Sequence, residues 1–318
     1  MYEIKNSIID ISHNYYNYLL NLERVVAVGL GYKWINGLNT FEPCINVLVK
    51  NKIDSKYLSS NNRVPTKYMG IKTDVIETGE FSFENEDETI LKLRPLEGGC
   101  SVSVSDKKNM GTISCIVKKV NDLEGKHEID YFILSNNHVI AGNNQYPIGS
   151  NIIQPSKLRG GLFPSDEIGH LFNFIPIKFI EGEDEPVNYV DCAIGKINNT
   201  SLISDKVFKI GEIKGIEKPN LNMSIQKMGA RTGLTLGTII ALNITFYTKA
   251  ENIKKTALFK DQILSQIVTN KGDSGSAIIN SNKKIVGIHM SGTGDGFSLS
   301  NDINLVLEKL NVEVYKEE

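Results

Sequence analysis

From Leu96 onward the chain reads as short apolar runs separated by turn residues, a texture that confines it to all-β architectures. Cys100–Val104 and Gly111–Val117 alternate small or polar with apolar residues, the period of a strand with one buried face. Asp302–Leu310 departs from this pattern. There Ile303, Val306, Leu307 and Leu310 share one helical face, which predicts a C-terminal helix.

The first ninety residues have a different texture. Ile4, Ile8, Ile11, Tyr15 and Leu19 recur at helical spacing and predict one amphipathic helix over 4–22. Arg24–Gly31 and Cys44–Val49 read as strands about a Gly- and Asn-rich turn region, and Ile71–Glu77 as a third strand. Asp54–Leu58 reads as a helical turn. These segments predict a small α+β unit over 1–92. An acidic, polar linker at 81–91 leads into a second unit over 93–318.

Three short segments carry chemistry. Asn270–Ala277 sets Ser274 between Gly272 and Gly275, with Asp273 before it and the apolar Ala277–Ile279 after it. Such a loop can hold a hydroxyl out of the regular backbone and leave the Gly272 and Ser274 N–H groups for a developing oxyanion. Tyr131–Gly142 is an apolar strand ending in a polar turn that carries His138. Tyr189–Gly195 is an apolar run containing Asp191. A serine hydroxyl needs a base within reach, and the base needs a group that fixes its tautomer. His138 suits the base, since an unperturbed imidazole titrates at about 6.5 and can take and return a proton near neutral pH. Asp191 suits the orienting group. Each residue also has an ordinary reading: a tight turn for the glycines, a hydrogen-bonded structural histidine, a buried carboxylate on a backbone N–H.

Composition narrows the classes. With 318 residues and 41% hydrophobic content, the chain can bury two compact units. A formal charge of −2 gives no electrostatic case for nucleic acid or an anionic membrane. No apolar run approaches the ~20 residues of a membrane helix. Met1–Asn6 shows no basic stretch leading into an apolar core, so no secretion signal is expected. Cys44, Cys100, Cys115 and Cys192 lack Cys-x-x-Cys spacing, which argues against zinc and against a dense disulfide framework. A Cys100–Cys115 bridge and four reduced thiols both fit, and the thiols suit a cytoplasmic setting. The acidic run Glu181–Glu185 lacks a ligand pattern and reads as a solvated loop. No metal and no cofactor are expected.

Taken in order, the histidine turn, the Asp191 run, the Gly-Asp-Ser-Gly loop and the strand Ile285–His289 resemble a trypsin-like (chymotrypsin-type) serine peptidase, over about residues 96–315. The resemblance implies a mainly β, chymotrypsin-like double β-barrel with a small N-terminal α+β domain and a C-terminal helix. Barrel one would run over 96–198 with His138 and Asp191, and barrel two over 205–300 with Ser274. Peptide-bond hydrolysis would proceed through an acyl-enzyme on Ser274.

Gly229–Ile239 is similar to a Gly-Arg-Thr-Thr-Gly stretch of streptogrisin-like and lytic bacterial peptidases. That implies Arg231 as the partner of Asp273, although Ala230 stands where those relatives have arginine. Arg231 also fits a surface turn. Gly287–Gly292 resembles a strand of bacterial glutamyl endopeptidases, which implies that His289 and Thr269 bind a substrate carboxylate. His289 also fits a satisfied core histidine. Val268 occupies the position where trypsins hold an acidic residue, and Asp295 would favour Lys or Arg before the scissile bond if it reached the pocket. Two functional classes follow: an active bacterial, cytoplasmic endopeptidase acting on a protein or peptide, with the N-terminal domain as a docking or regulatory element, or an inactive peptidase fold used for binding.

Overall fold

The computed structural model describes residues 2–35, 38–81, 92–123 and 126–317; apart from Phe81, the stretch read as a linker lies outside them. Helix α1 (Tyr2–Asn14) precedes the antiparallel pair β1 (Val25–Ile35) and β2 (Leu38–Val49). Strand β3 (Ile71–Glu77) runs parallel to β2. The single helix expected over 4–22 is two: α1 stops at Asn14, and a short turn of helix covers Asn17–Leu20. Ile4 and Tyr15 are each 48% exposed, while Ile8, Ile11, Tyr16 and Leu19 are buried. The break swings Tyr16 rather than Tyr15 inward, where its ring centroid lies 4.5 Å from Lys260 Nζ.

Barrel one comprises β4 (Ser101–Val104), β5 (Ile116–Leu123), β6 (Lys126–Ser135), the short helix α2 (Asn137–Ile140), β7 (Asn151–Ile153), β8 (Glu167–Phe174) and β9 (Ala193–Ile197). The strand order is β5–β6–β9–β8–β7–β4. The segment before β5 closes it: Gly111–Thr112 pair with β4, then Ser114 and Cys115 exchange hydrogen bonds with Leu134 on β6.

Barrel two comprises β10 (Ser224–Gly229), β11 (Gly233–Ala250), β12 (Lys255–Ile267), β13 (Ala277–Asn280), β14 (Lys284–Gly292) and β15 (Phe297–Asp302). Its order is β11–β12–β15–β14–β13–β10, with β10 pairing back onto β11. Helix α3 (Ile303–Leu310) follows, and Asp302 caps it by accepting the Asn304 N–H at 2.8 Å.

Strand β11 joins the N-terminal segment to barrel two. Its first half pairs with β10, and farther along Ala241–Phe246 pair with β1. The N-terminal hairpin therefore extends the barrel-two sheet. A buried cluster joins Ala27, Leu48 and Phe81 to Phe246, Met290 and Leu299. A second cluster seals the barrels together, with Phe132, Leu134, Val190 and Cys192 against Ala277, Ile288, Ile303 and Val306. Each such large apolar side chain contributes roughly 1.5–3 kcal/mol when fully buried. All four cysteines are buried and free, and Cys100 is not joined to Cys115. Among the described residues, no helix is long and apolar enough to cross a membrane.

Candidate active site

Antiparallel pairing brings His138 and Asp191 together. Ser135 at the end of β6 faces Ala193 at the start of β9. The residues just after the one and just before the other must therefore emerge at the same end of barrel one. His138 follows on α2, and its Nδ1 lies 2.5 Å from Asp191 Oδ2. The His138 backbone N–H donates to Asp191 Oδ1 at 3.1 Å, so both carboxylate oxygens are engaged by one residue. Asp191 is fully buried. Its own N–H donates to Asn301 Oδ1 at 3.0 Å, and its carbonyl accepts from Asn136 Nδ2 at 2.7 Å.

Ser274 sits on the loop between β12 and β13. Gly272 and Gly275 there have φ of 109° and 96°, a region that favours glycine. The loop is tied across the cleft to barrel one: Thr112 N donates to the Ser274 carbonyl and Thr112 Oγ1 to the Gly272 carbonyl, both at 2.7 Å. Within barrel two, Gly275 N donates to the His289 carbonyl and His289 N to the Ser276 carbonyl, each at 2.9 Å. Among the described residues, the N–H groups of Gly272 and Ser274 donate to no backbone carbonyl or side chain. They are the two donors an oxyanion would need. Ser274 Oγ donates to the Met290 carbonyl at 3.3 Å, and the residue is 2% exposed.

Asp273 points the opposite way, into a closed polar cage. Lys227 Nζ lies 3.1 Å from its Oδ2. Thr232 Oγ1 and Asn270 N donate to the same oxygen at 2.6 and 3.0 Å, and Arg231 N and Thr232 N donate to Oδ1 at 2.8 and 3.0 Å. Burial pushes the Asp273 carboxyl up, but the Lys227 ammonium and the Thr232 hydroxyl and N–H hold it below the ordinary carboxylate value. The expectation that Arg231 neutralises Asp273 is thus corrected. Arg231 contributes its backbone N–H from the turn between β10 and β11, and its buried Nη1 has no hydrogen-bond partner among the described residues. The cation is Lys227, and the sequence carried a signal for it. Lys227 shares the face of the apolar Ile225 at a spacing of two, and in the structure Ile225, Lys227, Met228 and Gly229 are all buried. Thr112, Asn136 and Asn301 gave no such signal, because their roles arise from contacts between distant segments.

The residues expected to set specificity separate into two groups. Thr269 and His289 are buried, at 1% and 0% exposure. His289 Nδ1 lies 2.7 Å from Ser298 Oγ, and its buried Nε2 has no hydrogen-bond partner among the described residues. The imidazole is pushed down to about 3. Burial is the main cause; the Asp273 carboxylate opposes it, while the Lys227 and His138 charges add to it. His289 is therefore neutral near neutral pH. Val268 is half-exposed, and its carbonyl accepts from Thr235 Oγ1. Asp295 stands on an exposed turn beside Gly79 of the N-terminal segment, apart from the buried pair Thr269 and His289.

The family model described as Trypsin matches residues 129–304, more than half of the chain and a span that includes His138, Asp191 and Ser274. The model described as NARROW LEAF 1 N-terminal domain matches residues 14–76. No curated protein matches the chain. Among solved structures, Thermobifida fusca Protease A is similar at 14% identity, covering 70% of this chain and 98% of that one, with a TM-score of 0.49. A glutamic acid specific serine protease, described as using a histidine triad in substrate binding, is 20% identical over 69% of this chain and 100% of its own, with a TM-score of 0.48. Cellulomonas bogoriensis chymotrypsin is 15% identical over 70% and 98%, with a TM-score of 0.46. With its double barrel and its family match, the chain belongs to the trypsin family and is a serine-type endopeptidase.

Proposed function

We propose that this endopeptidase acts through an acyl-enzyme on Ser274, with His138 as general base and acid and Asp191 as the group that orients the imidazole. The single observation that carries this reading is the double engagement of Asp191 by His138, through Nδ1 at 2.5 Å and the backbone N–H at 3.1 Å. A carboxylate on Nδ1 leaves Nε2 as the basic nitrogen. As Oγ attacks the scissile carbonyl, its proton passes to His138 and the negative charge settles on the carbonyl oxygen. The Gly272 and Ser274 N–H groups stabilise that charge. His138 then gives the proton to the leaving amine, and water repeats the cycle on the acyl-enzyme.

The pocket reading is an acidic side chain before the scissile bond. If Ser298 Oγ–H donates to His289 Nδ1, Nε2–H is left, among the described residues, as an unused donor in a buried site. A neutral imidazole donor suits a carboxylate without the cost of burying a second charge. Residues 1–92 are read as a unit, consistent with the match over 14–76, and that unit is assigned a docking or regulatory role. Four free, buried thiols suit a reducing bacterial cytoplasm and a specific intracellular protein substrate.

A fluorophosphonate probe tests the mechanism. Labelling at Ser274, lost in Ser274→Ala and in His138→Ala, is the expected result. An unlabelled wild-type chain that still binds its substrate would instead make the protein an inactive peptidase fold used for binding. Digestion of a peptide library tests the pocket: cleavage after Glu or Asp is expected, and cleavage after large apolar residues would overturn the assignment of His289.

A further inference from the structure

The backbone around Asp191 has no strand ladder of its own. The pairing of Val187–Asn188 with β12 ends just before it, and β9 begins two residues after it. Buried peptide groups in such a segment must find partners elsewhere. Here they are met by amide side chains from other elements: Asn136 on the Asp191 carbonyl, Asn301 of β15 on the Asp191 N–H, and Gln262 of β12 on the Tyr189 carbonyl at 2.8 Å. Asn301 and Gln262 are themselves joined, Asn301 Nδ2 to Gln262 Oε1 at 2.6 Å, and both are fully buried.

Gln262 is aimed by a β-bulge. Asn243 and Asp261 have φ of 54° and 61°, the β11–β12 register shifts there, and Asn243 Nδ2 donates to Asp261 Oδ1 at 3.0 Å. Bulges beside functional sites re-aim side chains. This one sends two successive residues of β12 to His13 of α1 and the third inward. Lys260 Nζ donates to the His13 carbonyl, and the Asp261 carboxylate takes the His13 imidazole. Gln262 turns inward, toward Asn301. On one side of the bulge is the C-terminal end of α1; on the other is the amide pair that holds Asp191.

We infer that Asn301 and Gln262 are positioning residues for Asp191, and that helix α1, through His13, clamps the bulge that aims them. This rests on the reading of His138 and Asp191 as the catalytic pair. It gives the N-terminal segment a defined task, setting the orientation of the His138 imidazole from the opposite side of barrel two. A partner that pulled on α1 would change turnover without entering the cleft.

The test uses the full-length chain and two readouts. The first is kcat and KM on a chromogenic peptide. The second is the downfield proton resonance of His138 Nδ1, recorded in a Ser274→Ala background so that it needs no turnover. Asn301→Leu should lower kcat by roughly tenfold to a hundredfold with KM within about twofold, the scale expected of a misplaced catalytic group. It should also shift the His138 resonance. His13→Ala, at a partly exposed position, should lower kcat about threefold or more and shift the same resonance in the same direction. A folded His13→Ala chain with unchanged kcat and an unchanged resonance would overturn the proposal, whatever Asn301→Leu does. If instead the resonance responds in both variants but the wild-type chain cleaves nothing, the catalytic reading fails while the positioning link stands.

Discussion

Lys227 Nζ lies 3.1 Å from Asp273 Oδ2, and neither side chain has any exposed surface. Thr232 Oγ1 bridges them, accepting from Lys227 at 2.7 Å and donating to Asp273 at 2.6 Å. The pair is anchored on Asp273, the residue just before Ser274, whose hydroxyl is the proposed nucleophile. It therefore fixes the direction in which the Gly272 and Ser274 N–H groups point.

Removing one partner strands a buried charge. Lys227→Met should destabilise the protein by roughly 3–5 kcal/mol, read from urea unfolding, and should lower kcat more than it raises KM. The double variant Lys227→Met with Asp273→Asn should recover part of the stability, because the orphan carboxylate is gone. Equal stability of the single and double variants would contradict this account.

Gly272 is constrained twice. A Cβ there would stand 2.3 Å from Met110 Cε, and its φ of 109° strains any L side chain. Met110 is flexible and can move, whereas the backbone strain of about 1–3 kcal/mol cannot be relieved that way. Gly272→Ala should therefore lose most of its activity, and adding Met110→Ala should not restore it. Restoration would show that steric contact, not backbone conformation, controls the loop.

Acid should weaken the fold in two windows. His289 is held at about 3, against about 6.5 in an unfolded chain. Between those values the unfolded state binds a proton that the folded state does not, so stability falls as pH drops from about 6.5 toward 3. Asp273 is depressed below the ordinary carboxylate value, so its contribution is present above that value and is lost only as pH falls through its own lower one. Unfolding free energies of His289→Gln should fall less steeply than wild type between about pH 6.5 and 4. Parallel curves would exclude His289 as the titrating group.

Leu48 tests whether the N-terminal strands and barrel two act as one body. It is fully buried, in the cluster with Phe246, Met290 and Leu299. Leu48→Ala should cost about 2–5 kcal/mol. It should also shift the melting of barrel two in step with that of the N-terminal segment, followed by hydrogen exchange on β1 and β14. Independent melting would mean that the hairpin is only laid against the barrel.

Local periodicity and turn chemistry did not reach the long strands β11 and β12, but were enough to read some of the barrel strands, the C-terminal helix, and the three segments bearing His138, Asp191 and Ser274. Those features depend on residues near one another in the chain. The sequence could not tell that the helix over 4–22 would break, because the break is decided by Tyr16 packing under Lys260, far away in the chain. It favoured Arg231 over Lys227 because a motif was being matched, while the choice of cation depends on which side chain faces inward beneath Asp273. The amides of Asn136, Gln262 and Asn301 were silent for the same reason. Satisfying a buried peptide group is a property of three-dimensional neighbours, and only closure of the two barrels, with β1 added to the edge of β11, brought those neighbours together.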